Sequence, residues 1–259
     1  MNLYGDRGNI FCLRHRCTAR GIDLDVVEIG LGDDLDPNSY DLIFMGGGQD
    51  REQRRIGADL LDTKAGPIHR AVGAGMPVLT VCGGYQMMGR SYQPAEGARL
   101  PGLAIFNMET VHPGDHAPRC IGNIEVEWEH GDLVGFENHG GRTYLDNSCV
   151  PLGRVAAGFG NNGEDGTEGC RWQNAFGTYL HGSLLPKNPQ LADLMIGIAA
   201  TRKYGAADLE PLDDSLEDSA HAAAVQIARA QAKQRTGGLA AKTAGLLEIA
   251  GKRLRSRGA

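Results

Sequence analysis

The 259-residue sequence is poor in aromatic side chains, 6% in all with two tryptophans. It has no run approaching the ~18 consecutive apolar residues that a membrane-crossing helix needs. Its start lacks the charged and apolar segments of a secretory signal, so the chain is expected in the cytoplasm. Positive charge is not in excess: the formal net charge is −6. That balance argues against general nucleic-acid binding, and no such partner is expected. The six cysteines, at 12, 17, 82, 120, 149 and 170, are spread too thinly for a disulfide framework in a reducing compartment. Cys12, His15 and Cys17 come nearest to a metal cluster, but they lie on a helix-like stretch without a second C-x-x-C pair, so no metal is expected. No glycine-rich stretch is followed by Lys-Ser or Lys-Thr at phosphate-loop spacing, and no nucleotide cofactor is expected in this chain.

What is present is an α/β pattern with many glycines. The 38 glycines cluster at Gly46–Gly48, Gly83–Gly84, Gly140–Gly141 and Gly237–Gly238, which reads as tight turns. Helical character over Asn9–Arg20 stops at Gly21, and Ile22–Ile29 alternates apolar and acidic residues as a half-buried strand does. Asp41–Met45 is a short strand running into Gly46–Gly48. Gln49–Gly75 is expected to be helical with a break at Gly66–Pro67, and Pro77–Val81 is a fully apolar strand. Strands alternating with helices predict a doubly wound, mostly parallel sheet with ligands at the strands' carboxyl ends. From Gly102 to His181 the pattern changes to short strands, clearest at Ile121–Trp128, Leu133–Glu137, Leu152–Phe159 and Ala175–Leu180. Asn188–Tyr204 is helical again. Residues 205–259 read as an extension outside the main core: an acidic segment, two alanine-rich helical stretches and a basic end, KRLRSR.

The stretch LTVCGGYQMMG, Leu79–Gly89, ends an apolar strand on a cysteine and then removes the neighbouring side chains. That is the pattern of a nucleophile elbow, a sharp strand-to-helix turn that exposes a reactive group and tolerates no bulk beside it. A helix starting behind Cys82 favours thiolate, and its backbone N–H groups can receive a developing oxyanion. A buried structural cysteine is the competing reading. His181 in GTYLHGS ends a strand with a glycine after it, so it can face the same sheet edge and accept the thiol proton. Of the other histidines, only His139 in FENHGGRT has a comparable setting. The glycines of FMGGGQD, Phe44–Asp50, suit either a phosphate or an oxyanion hole, and the lack of any other nucleotide signature favours the latter.

Together, the glycine-rich strand end, C-x-G-x-Q at Cys82–Gln86 and YLHG at Tyr179–Gly182 resemble class I glutamine amidotransferase domains, most closely the cobyric-acid-synthase-like branch. Within that branch, YGDRGN at Tyr4–Asn9 and GFENHGGRTYL at Gly135–Leu145 resemble the GatD family, the glutaminase subunits of lipid II isoglutaminyl synthase. The resemblance covers residues 1–204 and implies a flavodoxin-like amidotransferase fold, with 205–259 as a helical C-terminal extension. It implies hydrolysis of L-glutamine through a γ-glutamyl thioester on Cys82, with His181 as general base and then acid. It also implies oxyanion donors at Gly47 and Gly83 and a glutamine-pocket position at Gln86. Arg142 is the candidate for the substrate α-carboxylate, with Asn138 and His139 shaping the pocket. The implied partner is a MurT-like Mur ligase subunit carrying ATP and Mg²⁺. That partner amidates the D-glutamate α-carboxylate of the lipid II stem peptide at the inner membrane surface.

Two departures stand out. The acid that usually follows the histidine by two residues is replaced by Ser183, and a serine cannot stabilise an imidazolium as a carboxylate does. The resemblance implies that the partner supplies an aspartate, so Ser183 predicts a site completed across an interface. Relatives also carry a strand before YGDRGN, whereas this sequence starts almost at the motif. A cobyrinate-type or other class I amidotransferase, a hydrolase of γ-glutamyl peptides and a catalytically silent regulatory module are the alternatives.

Overall fold

A computed structural model describes residues 6–114 and 116–255, and over 236–255 the helical backbone alone. Tyr4 and Gly5 of the first motif and the side chains of KRLRSR lie outside the described residues. In chain order come α1 (Arg7–Thr18), β1 (Ile43–Met45), α2 (Asp50–Asp59), α3 (Ala65–Gly73), β2 (Val78–Val81) and α4 (Gly83–Met88). There follow β3 (Ser91–Gln93), β4 (Leu100–Pro101), β5 (Met108–Val111), β6 (Cys120–Trp128), β7 (Gly131–His139), β8 (Arg142–Leu145) and β9 (Gly153–Ala157). The chain continues through β10 (Thr167–Glu168), β11 (Cys170–Trp172), β12 (Ala175–Thr178), α5 (Pro189–Tyr204) and α6 (Ser215–Arg255).

The central sheet runs β1-β2-β12-β11. The first three strands are parallel and β11 is antiparallel. All four residues of β2 and of β12 are buried, as expected of parallel strands covered on both faces. Two further four-stranded sheets, β10-β9-β6-β7 and β4-β3-β5-β8, fill the middle of the chain, and their pairings are antiparallel apart from β3 with β5. The α/β expectation holds, with parallel pairing concentrated in the sheet that carries the cysteine.

Two expectations are corrected. Ile22–Ile29 forms no strand: the segment pairs with no neighbour among the described residues, and Val26 and Val27 are both exposed. Alternation describes a strand with one covered face and a ladder beside it; here Ile22 and Leu24 rest against the core, but no described strand lies alongside. The break after Gln49 falls not at Gly66–Pro67 but in a wide π turn at Leu60–Lys64. Pro67 instead occupies the first turn of α3, where its missing N–H costs no helix hydrogen bond.

α1 buries Asn9, Leu13, Arg16 and Cys17 on one face. The Arg16 guanidinium is wholly buried and doubly paired, donating to Asp193 of α5 at 2.6 and 2.7 Å and to Asp214 at 2.6 and 3.0 Å. The stretch beyond residue 205 becomes one long helix rather than two. α6 lies along β6: Ala228 is buried, Arg229 donates to the buried Glu125, and the Gln231 side chain accepts the Asn123 N–H at 3.0 Å.

Candidate active site

Parallel pairing of β2 with β12 places the two key residues. Val81 stands opposite Thr178, and the next residue, Cys82, donates its N–H to the Thr178 carbonyl at 2.8 Å. Cys82 then leaves the strand with φ 49° and ψ −107°, a strained backbone for a residue with a side chain. α4 starts at once, packed on the Gly46–Gly48 loop. A Cβ on Gly83 would lie 2.4 Å from the Gly48 carbonyl oxygen, and one on Gly84 would lie 2.6 Å from that of Met45. The paired glycines therefore let two backbones meet behind the thiol.

His181 follows β12 and is pinned from the second sheet. It exchanges two backbone hydrogen bonds with Phe136 of β7, at 2.8 and 3.1 Å. Its ring is fully buried. Burial lowers the imidazole pKa, but hydrogen bonds to Asp6 and Cys82, with their charges, outweigh it and push the group up to about 9. His181 is thus a strong base.

Ser183 stands where the acid is missing, but the buried carboxylate of Asp6 faces His181, with Oδ1 3.3 Å from Nδ1. The other Asp6 oxygen accepts the Gly47 N–H at 2.6 Å. That bond corrects an expectation, because the Gly47 N–H is engaged by a carboxylate and is not offered to an oxyanion. Its neighbour Gly48 lines the cavity beside Cys82 and abuts Gly83.

The cavity at Cys82 measures about 490 Å³ and is lined by Gln86, Asn138 and His139, among others. Gln86 is held at both ends of its amide: Oε1 accepts from Gln53 at 2.8 Å, and Nε2 donates to the Tyr179 hydroxyl at 3.1 Å. That hydroxyl also bonds Thr143, and the His139 ring stacks on Tyr179 at 3.7 Å. Arg142 does not line the cavity. Its guanidinium binds the carbonyls of Gly140 and Pro118. The arginine at the cavity wall is Arg119, directly after Pro118, with its guanidinium fixed on the Asn138 side-chain oxygen at 3.0 and 3.1 Å. No local spacing marks Arg119 in the sequence. Asp50 lines the same cavity and accepts the Tyr92 hydroxyl at 2.9 Å. Among the described residues no group of three or more His, Cys, Asp or Glu side chains is arranged to hold a metal, and no helix is long and apolar enough to cross a membrane.

Residues 1–189 match the CobB/CobQ-like glutamine amidotransferase domain. The chain is 41% identical over 236 residues to the GatD subunit of the glutamine-hydrolysing lipid II isoglutaminyl synthase of Staphylococcus aureus strain N315, covering 91% of this chain and 95% of that one. It is 42% identical over 207 residues to the subunit of the same name from Streptococcus pneumoniae strain ATCC BAA-255 / R6, covering 79% and 78%. A crystal structure of a glutamine amidotransferase superposes with a TM-score of 0.53 at 15% identity, over 76% of this chain and 96% of that one, a likeness of fold. A strained cysteine, a buried histidine and glycine backbones converging on one cavity are what such a fold is built to present, and the chain belongs to the CobB/CobQ-like glutamine amidotransferases and, within them, to the GatD family.

Proposed function

We propose that this chain is the glutaminase subunit of a lipid II isoglutaminyl synthase, hydrolysing L-glutamine at Cys82 and passing the ammonia to a partner. The observation that carries the chemistry is the placement of Cys82, strained at φ 49° against the Gly48 loop and close to His181: a Cβ on Gly47 would lie 2.9 Å from His181 Cε1 and 3.5 Å from Cys82 Cβ. Sγ attacks the carboxamide carbon of glutamine as His181 takes the thiol proton. The carbonyl oxygen becomes an oxyanion facing the backbone N–H groups of Gly48 and Gly83. His181 returns its proton to the departing nitrogen, ammonia leaves, and a γ-glutamyl thioester remains on Cys82. A water molecule, deprotonated by the same imidazole, then attacks the thioester. Glutamate departs and the thiol is regenerated.

A free α-amino acid carries both charges, and the cavity supplies both complements. Arg119 receives the α-carboxylate and Asp50 the α-ammonium, while Gln86 shapes the floor. Arg142 acts one step removed, through the Pro118 carbonyl that sets where Arg119 points. The GatD relatives are named as subunits, which supports a second polypeptide. We assign that role to a MurT-like Mur ligase subunit. With ATP and Mg²⁺ it activates the stem-peptide carboxylate of lipid II at the cytoplasmic face of the membrane. Ammonia handed to the partner without entering bulk water stays unprotonated and nucleophilic for that step.

The test is Cys82→Ala in the co-purified complex. Glutamine-dependent amidation is expected to vanish while synthesis from added ammonium persists. Retention of glutamine-dependent turnover would remove Cys82 from the chemistry.

A further inference from the structure

The acid facing His181 comes from the opposite end of the chain, 175 residues away. Both side chains are wholly buried. One Asp6 oxygen lies 3.3 Å from His181 Nδ1, and the other accepts the Gly47 N–H at 2.6 Å. The residues after Asp6 are fitted to the loop after His181. The Asn9 side-chain oxygen accepts the Leu185 N–H at 2.8 Å, and a Cβ on Gly8 would lie 2.1 Å from Ser183 Oγ. The start of α1 and the histidine loop thus hold each other in place.

We propose that Asp6 is the positioning residue of the Cys82–His181 pair, so that the site is completed within one chain rather than across an interface. Asp6 fixes the tautomer with the proton on Nδ1 and turns Nε2 toward Cys82. By accepting the Gly47 N–H it also ties the imidazole to the glycine loop that carries Gly48, so the base and the oxyanion donors move together. A carboxylate at this distance, out of water, stabilises the imidazolium far more than an exposed one does. Among the described residues the titratable groups facing the ring are Asp6, from the segment before α1, and Cys82, at the end of β2; burial lowers the imidazole, and the interactions with these two outweigh it and raise it to about 9.

The inference rests on the glutaminase reading, and the experiment separates the two. In the full chain with its co-purifying subunit, Asp6→Asn is expected to lower kcat for glutamine hydrolysis by roughly 10²- to 10⁴-fold. KM should stay within about threefold, since Asp6 does not touch substrate. Asp6→Glu should recover part of the loss. The pH limb assigned to His181, near 9 in the parent, should move to lower pH in Asp6→Asn, because burial then acts on the imidazole without its acid. A kcat within threefold of the parent, or an unmoved limb, overturns the proposal. Should Asp6→Asn fail to fold, nitrogen-15 spectra of the parent decide: protonated Nδ1 supports the proposal, and a neutral ring protonated only on Nε2 overturns it. A parent whose glutamine hydrolysis survives Cys82→Ala defeats the glutaminase reading instead.

Discussion

Arg119 and Arg142 show at the scale of single residues how a motif and a cavity can point to different side chains. Arg142 sits in a recognisable block and Arg119 does not, yet only Arg119 reaches the cavity wall. On the proposed assignment, truncating Arg119 to alanine removes a charged contact to substrate, typically worth about 1.5–3 kcal/mol. Arg119→Ala is therefore expected to raise KM for glutamine about 10- to 100-fold, and Arg142→Ala less, about fivefold. Steady-state kinetics on both variants check the order, and an Arg142→Ala defect larger than that of Arg119→Ala would reverse the assignment. Cys82 and His181 were readable because each sits at a strand end flanked by glycine, a purely local signature. The part proposed for Asp6 is not legible in its motif, because it depends on a contact 175 residues away. Gly47 misled for the same reason: its N–H looks available until the carboxylate that binds it is in place.

At the scale of elements, periodicity found most helices and strands, and it failed where an element's fate depends on a neighbour. Ile22–Ile29 has the alternation of a strand but no ladder beside it among the described residues, whereas β6 has β7 on one side and β9 on the other. The buried Arg16 was equally invisible to pattern reading, since an arginine in an amphipathic helix is ordinarily assigned to solvent. Here it fastens α1 to α5 and to Asp214 just before α6. Removing one member of a buried charge network strands the others. Arg16→Met should therefore destabilise the fold by about 3 kcal/mol, read as a lower denaturant midpoint at unchanged slope. A loss below about 1 kcal/mol would mean that Asp193, which also binds Arg20, and Asp214 find water instead.

At the scale of the whole molecule, two buried groups make stability depend on pH. Burial pushes the Glu168 carboxyl up to about 8, against the Tyr179 N–H and the Thr178 hydroxyl, with Glu137 adding to the rise. A carboxyl that binds its proton more tightly when folded contributes stability that is lost as pH rises from 4.5 toward 8. His181, raised from 6.5 to about 9, contributes stability that is full below 6.5 and lost as pH passes 9. Both act in the same direction. Glu168→Gln, close to isosteric and uncharged, should flatten the decline between pH 5 and 8, a difference on the order of a few kcal/mol. Thermal melts at both ends of that range check it, and equal slopes for parent and variant would show that Glu168 is already ionised in the fold.

Asp6, Cys82 and His181 are far apart in the sequence, the first two within its first third and the last within its final third. A ribosome that has made two thirds of the chain has therefore made no hydrolase at all. On the proposed mechanism glutamine is consumed only once the histidine loop has emerged and seated against the first helix, so a chain halted before that point drains none of the cell's nitrogen.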